Sequence, residues 1–418
     1  MPQTPQRILI VGAGQAAAQA AQSLRQGGFA GAIVMLGEEP VPPYQRPPLS
    51  KAYLSGAMGV ERVVLKPRET WAEERVELHT GVRATAIDRA ARVVRDAEGR
   101  AWPYDALILA TGSRVRKMDC PGADLGGLHH LRTMADVDAL RADLLPGRRL
   151  VVVGGGYIGL EVAAVARKAG LDVTVVEAAA RVLARVTTPE ISTFFDRLHA
   201  DAGVTILTGA GVDGFVGDGP EGEGGRVVGV RLHGGRVLPA DVVLIGIGIL
   251  PNADLAVQAG LPAGNGIETD RDARTADPAI FAIGDCASRP LVHYGDRRGR
   301  LESVHNALEQ AKLAAAAILG APRPVEETPW FWSDQYDVKL QIAGLSQDAV
   351  RTVVRGDPDA KRFAAFHLGP DDVILGVDAV NSPPEFLVGR QLIARRARLA
   401  PARLADMSVS MKEIAAGV

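Results

Sequence analysis

Only two cysteines, Cys120 and Cys286, occur in the 418 residues, and their separation forms no C-x-x-C pair. Neither a disulfide framework nor a dithiol redox centre is indicated, and that usage fits reduced, intracellular surroundings. Charge of one sign is also missing: the formal net charge is −2, which gives no global pull toward nucleic acid or anionic membrane. Long apolar runs are absent as well; stretches such as 242–250 are too short to span a bilayer. The first strand begins near residue 7, which leaves no room for a signal peptide, so the expectation is a soluble, cytoplasmic protein. The eight histidines show no metal-ligand spacing, and His129-His130 reads as ordinary loop or edge. No Ser/His/Asp or paired-carboxylate arrangement stands out. What remains is ordinary globular composition, 47% hydrophobic and 23% charged, in a chain long enough for two or three domains.

Against that background, residues 7–17 carry the first positive signal. Ile8 to Val11 read as a buried parallel strand, Gly12, Gly14 and Ala17 supply a G-x-G-x-x-A fingerprint, and an Ala-rich helix follows through Leu24. The glycines permit a tight turn and close backbone approach to a pyrophosphate, and the helix N-terminus adds about half a positive charge. A second strand, 32–37, ends at Glu38, where a carboxylate can grip a ribose hydroxyl. The unit recurs at 150–159, with Gly154, Gly156, Tyr157, Ile158 and Gly159, and its next strand ends at Glu177. Two such units suggest two dinucleotides.

The second unit has a cofactor preference written into it. A hydrogen bond from a ribose to the charged Glu177 is worth about 1.5–3 kcal/mol net. A 2′-phosphate there would meet like-charge repulsion of about 4 kcal/mol at close range. NADH is therefore expected over NADPH by about tenfold or more, softened by Arg181 and Arg185. The alternative is that 150–177 is merely a structural βαβ unit.

Other stretches place candidates around these units. Prolines over 40–48 forbid continuous helix or sheet and lead to Leu49-Ser50-Lys51, either a fixed lysine or a surface loop with a solvated one. A hairpin excursion is expected over 83–104 and a buried strand over 106–110, running into Thr111-Gly112. A helix near 189–202, a strand at 204–207 and a glycine-rich meander over 211–235 follow, with 217–225 as a floppy hairpin tip. The buried strand at 241–252, ending in glycines, Gly248 among them, and a proline, reads as a return crossing between domains. Residues 279–284 form a strand that delivers Asp285 at its carboxyl end, where ligands of open α/β sheets sit. A helix runs from Ser303 to Leu319, and from about 326 two tryptophans, short alternating strands and a helix near Pro384 mark a third, α+β domain.

In this order, GAGQAA, PPLSK, ILATGS, GGGYIGLE, IFAIGDCA, LESVHNALEQAK and PWFWSDQYD cover nearly the whole chain. Together they resemble the FAD-dependent ferredoxin reductases of oxygenase systems, a group that includes rubredoxin reductases and has apoptosis-inducing factor as a distant relative. The resemblance implies an α/β fold of glutathione-reductase type, with two Rossmann-like dinucleotide-binding domains and a C-terminal α+β domain. The implied boundaries are 1–114 with 248–325 for FAD, 115–247 for NADH and 326–418 for the third domain.

Carried over by position, FAD contacts Gly12, Gly14, Ala17, Glu38, Lys51, Val82, Arg132, Asp285 and Val304, and the start of the 304–319 helix faces the flavin. Ala16, Ala110, Thr111, Gly112, Gly284, Ser303, Arg185 and Gly248 complete the cofactor-binding set with the second fingerprint. Lys51 and Glu161 are the catalytic candidates, a pair beside the nicotinamide; the plain alternative for Glu161 is a helix-face carboxylate. Trp330 and Trp332 share one side of a strand, and either fill the core or, for Trp332, lie against the flavin. Cys286 has no partner cysteine and reads as a packed thiol. Relatives with a redox-active cysteine carry it in the early loop, where this chain has Pro-Pro-Leu-Ser-Lys.

The implied acceptor is a [2Fe–2S] ferredoxin feeding a monooxygenase or dioxygenase, with the chain a monomer or weak dimer. An acidic ferredoxin needs a basic landing area, and Arg390, Arg395, Arg396, Arg398 and Arg403 lie in 389–404 with no acid between. Lys312 is a further candidate, and a solvated helix face is the alternative. Rival functions are reduction of another acceptor, such as rubredoxin, a peroxidase system or nitrite reductase machinery, and a non-enzymatic role like that of apoptosis-inducing factor.

Overall fold

The computed structural model describes residues 5–220 and 225–417. Contacts divide it into two compact units: Met1–Gln45, Val60–Arg114 and Leu250–Pro329 form one, and Arg46–Gly59, Val115–Ile249 and Trp330–Val418 the other.

In the first unit a five-stranded, all-parallel sheet runs in the order Ile280–Ala282, Ala106–Leu109, Arg7–Val11, Ala32–Gly37, Val76–Thr80. All but the edge strand Val76–Thr80 read as continuous apolar runs because both sheet faces are covered. Ile8 and Ile10 point into one core, Leu9 and Val11 into the other. On the first face, helix Gln15–Gln26 packs against helix Val304–Leu319 through alanines: Ala17, Ala20 and Ala21 from one, Ala307, Ala311 and Ala314 from the other. Small side chains let the two axes approach closely, and Leu24 fills the seam's end.

The second unit repeats the plan. Its parallel sheet runs Thr205–Thr208, Asp172–Glu177, Arg149–Val153, Val242–Ile245, Leu128–His129. Strands Val212–Gly217, Val227–Leu232 and Val237–Pro239 form an antiparallel sheet beside it; of the expected hairpin tip at 217–225, residues 221–224 lie outside those described. The C-terminal sheet is antiparallel, in the order Trp330–Gln335, Val338–Gly344, Ile374–Val380, Arg362–Leu368, Arg351–Asp357. Helix Pro383–Ala394 closes its core through Phe386, Leu392 and Ile393.

Two local expectations change. Residues 83–104 form three antiparallel strands, Ala84–Asp88, Val93–Asp96 and Ala101–Pro103, rather than a simple hairpin. Asp96 organises the last turn by accepting from the backbone N–H groups of Glu98 and Arg100 and from the Trp102 indole. The basic run 389–404 is not one helix face. The helix ends at Ala394, Arg396 takes a left-handed φ of +52°, and the chain turns so that Ala397 and Leu399 enter the core.

Candidate active site

Each fingerprint builds a cradle that only glycine permits. Gly12 has φ +114°, and a Cβ there would stand 2.1 Å from the Ala110 carbonyl oxygen; Gly14 meets nothing within 4 Å. The turn is thus closed behind and open in front, at the N-terminus of helix Gln15–Gln26. The second cradle matches: Gly154 has φ +108°, a Cβ on Gly159 would meet the Gly154 oxygen at 2.2 Å, and Gly156 again faces open space. Open space in front of each glycine turn at a helix N-terminus lets a pyrophosphate approach the backbone, so the residues present fit a dinucleotide in each unit.

Around the first cradle, Ala16 and Ala17 are buried in the helix seam and Glu38 is exposed, 3.7 Å from Arg83. Val82 returns to the strand end through its N–H to the Gly37 oxygen (2.8 Å). Beyond Ala110, Thr111 and Asn252 lock together, hydroxyl to carbonyl at 2.7 Å and amide to carbonyl at 2.9 Å, and Gly112 takes φ +66°. Asp285 accepts from the Ser113 hydroxyl (3.0 Å). Gly284 donates its N–H to Gln310 (2.5 Å), which ties this turn to helix Val304–Leu319, itself capped by Ser303 on Asn306 (3.1 Å). Six predicted positions therefore gather at the carboxyl ends of this sheet: Gly12, Gly14, Ala110, Thr111, Gly284 and Asp285.

In the second unit Glu177 turns back over the glycine turn. One carboxylate oxygen accepts from Gly155 N–H and the other from Ala179 N–H, both at 2.7 Å. Arg185 is exposed and its guanidinium lies beside Gly248; Arg181 is engaged with Ser192 (2.5 Å) and the Ala184 carbonyl (3.1 Å). Ile158 is exposed, whereas Tyr157 is half-buried with its hydroxyl enclosed, and desolvation pushes its phenol well above the ordinary range, reinforced by Asp378 and Glu161.

The same helix, Tyr157–Lys168, carries Glu161 one turn beyond Tyr157. Glu161 is 3% exposed, and a charge so buried needs donors. One oxygen receives Lys51 Nζ at 2.6 Å and the Ser50 hydroxyl; the other receives the Ser333 hydroxyl at 2.6 Å. Lys51 is delivered by a 3₁₀ turn, Pro47–Ser50, in which the prolines occupy the first positions, where no N–H is required. Arg46, at its start, donates to the Arg132 carbonyl, and Arg132 N–H bonds Asp136 (3.0 Å). Sequence reasoning missed Ser50 and Ser333. The signal for Ser333 was available: on strand Trp330–Gln335 the tryptophans share one face, which leaves Phe331, Ser333 and Gln335 on the other.

Trp330 and Trp332 lie 5.5 Å apart, and Arg390 sits over Trp330 and Phe386 at 5.5 and 5.8 Å. Arg390 is thus drawn onto aromatic rings, while Arg395, Arg396, Arg398 and Lys312 are exposed. Cys286 is buried, its thiol donates toward the Leu109 and Ile283 carbonyls, and burial raises its pKa.

The pyridine nucleotide-disulphide oxidoreductase family model matches residues 6–311, and a reductase C-terminal model matches 330–415. The chain belongs to that family. It is 48% identical to a probable ferredoxin reductase, CtmF, of Castellaniella defragrans, over 98% of this chain and 99% of that one. It is 44% identical to putidaredoxin reductase CamA of Pseudomonas putida, over 98% and 96%. A solved covalent putidaredoxin reductase–putidaredoxin complex superposes with a TM-score of 0.95 at 43% identity, covering 99% of this chain and 98% of that one. The ferredoxin reductase for the CYP199A2 system of Rhodopseudomonas palustris gives 0.94 at 41% identity, covering 98% and 100%. The fold is the α/β fold of that family with an added C-terminal domain. Among the described residues no helix is long and apolar enough to cross a membrane.

Proposed function

We propose that this chain is an NADH-dependent ferredoxin reductase that supplies electrons to an oxygenase system, with FAD as its resident cofactor. Two glycine cradles in one chain carry the reading, and the relatives are named as reductases of ferredoxin and putidaredoxin. The balance is one NADH and two oxidised ferredoxins giving NAD⁺, two reduced ferredoxins and one proton. Bound flavin supplies the exchange from a two-electron donor to a one-electron acceptor. The chain's own groups bind and orient. We assign residues 1–114 and 248–325 to FAD, 115–247 to NADH and 326–418 to the C-terminal domain.

Glu177 is assigned to the adenosine ribose of NADH, and the turn at Gly154 and Gly156 to its pyrophosphate. Glu161 and Lys51 are assigned to the nicotinamide end, where the buried carboxylate holds the ammonium in one place. Positioning of this kind supplies much of the rate in a transfer that needs no nucleophile. Disulfide chemistry finds no support: Cys286 is a buried, protonated thiol, and Ser50 and Lys51 stand in the early loop. A cytoplasmic location follows from the reductant, since NADH is held inside the cell.

Anaerobic stopped flow tests the reading. NADH should bleach the flavin of the purified holoprotein, and an oxidised [2Fe–2S] ferredoxin should restore it. The variant Glu161→Gln should slow the first phase by about tenfold or more. A colourless polypeptide that cannot be reconstituted with FAD would end the proposal.

A further inference from the structure

The ion pair at Glu161 is the end of a longer chain of hydrogen bonds within the second unit. Ser333 bonds Glu161 (2.6 Å), Gln335 bonds Ser333 (3.1 Å), His199 bonds Gln335 (2.8 Å) and Tyr336 bonds His199 (3.3 Å). Ser333, Gln335 and His199 are 0%, 1% and 0% exposed. The match of helix to strand makes this possible. Four helical residues rise about 6 Å and two strand residues about 6.7 Å, so successive turns meet alternate strand positions. Tyr157 accordingly packs edge-on to Phe331 with ring centroids 4.5 Å apart and Glu161 meets Ser333; beyond the strand's end, Lys168 reaches the Tyr336 carbonyl (3.2 Å).

The chemistry of the carboxylate fixes every proton along this chain. A charged Glu161 only accepts, so the single hydroxyl proton of Ser333 points to it. Ser333 Oγ must then accept, so Gln335 turns its NH₂ toward Ser333 and its oxygen toward His199. His199 therefore carries a proton on Nε2. Burial lowers the pKa of His199 and so favours the neutral ring, whose bare Nδ1 accepts from the Tyr336 hydroxyl.

We propose that Ser333, Gln335 and His199 are positioning residues for the reductase reaction. Their one-way chain occupies the outer oxygen of Glu161, so that only the other oxygen is left for Lys51, and the ammonium is held at one place. The inference rests on the nicotinamide-end role given to Glu161 and Lys51 above. Without the Ser333 hydroxyl the outer oxygen is buried and bare, and Lys51 or Ser50 is drawn across the carboxylate to satisfy it. A displacement of about 1 Å at a reacting centre costs about a hundredfold in rate.

The test uses FAD-loaded protein and NADH in anaerobic stopped flow, with the limiting rate of flavin bleaching and the half-saturating NADH concentration read separately. Ser333→Ala should lower the limiting rate by about ten- to a hundredfold with half-saturation unchanged within about threefold. Ser333→Thr, which keeps the hydroxyl, should restore it to within about threefold of wild type. Gln335→Met, which removes the donor that orients Ser333, should give an intermediate loss, and it keeps the question open to measurement if Ser333→Ala does not fold. Glu161→Gln separates the two levels: if it bleaches at the wild-type rate, the role of the ion pair is wrong. If Glu161→Gln is slow while Ser333→Ala and Gln335→Met match wild type, the chain positions nothing and the inference alone fails. A Thr variant as slow as Ala would also overturn it, since packing and not the hydroxyl would then be at work.

Discussion

Replacing Glu177 by alanine should reverse the choice between NADH and NADPH, and the size of the reversal can be worked out from the turn itself. The Glu177 carboxylate is pinned by two backbone donors at 2.7 Å, Gly155 N–H and Ala179 N–H, and the rest of its lone pairs are left for ribose hydroxyls. A 2′-phosphate about 4 Å away would be repelled by about 4 kcal/mol per unit charge at an effective dielectric of about 20. Arg185, exposed and free to swing, offsets about half, whereas Arg181 is engaged with Ser192 and Ala184. The net preference for NADH is then about 2 kcal/mol, or about thirtyfold. In Glu177→Ala the repulsion vanishes, two backbone N–H groups become available to a phosphate, and NADH loses a charged hydrogen bond worth about 1.5–3 kcal/mol.

Arg185 stays in place, so the whole repulsion of about 4 kcal/mol is removed, and with the lost hydrogen bond the swing is about 6 kcal/mol, about ten-thousandfold or more in the ratio of kcat/KM for NADH over NADPH. Glu177→Gln keeps the shape and loses the charge, so it should show only the repulsive part, about a thousandfold. The assay is flavin bleaching against each nucleotide, with bound FAD measured first so that the comparison is between loaded proteins. A ratio for Glu177→Ala within threefold of wild type would refute the placement of the ribose at this carboxylate.

Three further outcomes are expected. Gly12→Ala should lose stability, because its Cβ meets the Ala110 oxygen at 2.1 Å and φ is +114°, at a cost of about 3 kcal/mol or more; Gly14→Ala, with nothing within 4 Å, should keep its melting temperature yet purify with little FAD. Equal flavin content in Gly14→Ala and wild type would remove the first cradle as the pyrophosphate site. Asp241 is held down to about 2 from 3.8 by hydrogen bonds from Arg149; that drop corresponds to at most about 2.4 kcal/mol, reduced by solvent screening at a carboxylate 35% exposed to about 1 kcal/mol. Because the folded pKa is depressed, this stability is present above about pH 4 and fades as pH falls toward about 2, so the Tm gap between wild type and Asp241→Asn should close over that range. Finally, kcat/KM for an acidic ferredoxin should fall by about tenfold or more between low and high salt, and Arg395→Gln with Arg396→Gln should flatten the slope; an unchanged slope removes these arginines from the landing area.

What could be read from sequence followed from local rules. Apolar runs closed by glycine turns mark strands covered on both faces, and 8–11, 106–109, 150–153 and 242–245 all stand in parallel sheets. The ion pair was reachable only through motif order, since 110 residues separate Lys51 from Glu161 and no periodicity links them. Ser333 and His199 were out of reach for a sharper reason. A small polar residue on a buried face has no signature until its partner is known, and the partners lie 172 and 136 residues away. Within the basic run at 389–404, charge alone cannot say where a helix stops. Ala397 and Leu399 needed the core, so the helix ended at Ala394 and its arginines parted company, Arg390 onto Trp330 and the rest into solvent.

The two fingerprints also show how one motif is put to two uses. Counted from the first glycine of each, Glu161 stands seven residues after Gly154, and the residue seven after Gly12 is Gln19. Both cradles are built of the same glycine geometry, so the difference lies in what each helix packs against. Helix Gln15–Gln26 meets another helix through alanines, and such a seam is dry and has no donors for a carboxylate. Helix Tyr157–Lys168 instead meets a strand that offers Phe331, Ser333 and Gln335, and there a buried charge can be fully hydrogen-bonded. A cradle lined by alanine serves to hold a nucleotide still. In the proposed reading, a cradle whose helix continues into a supported charge would hold the nucleotide and, one turn later, fix the group beside its reactive end, so that recognition and positioning are set by a single rigid element.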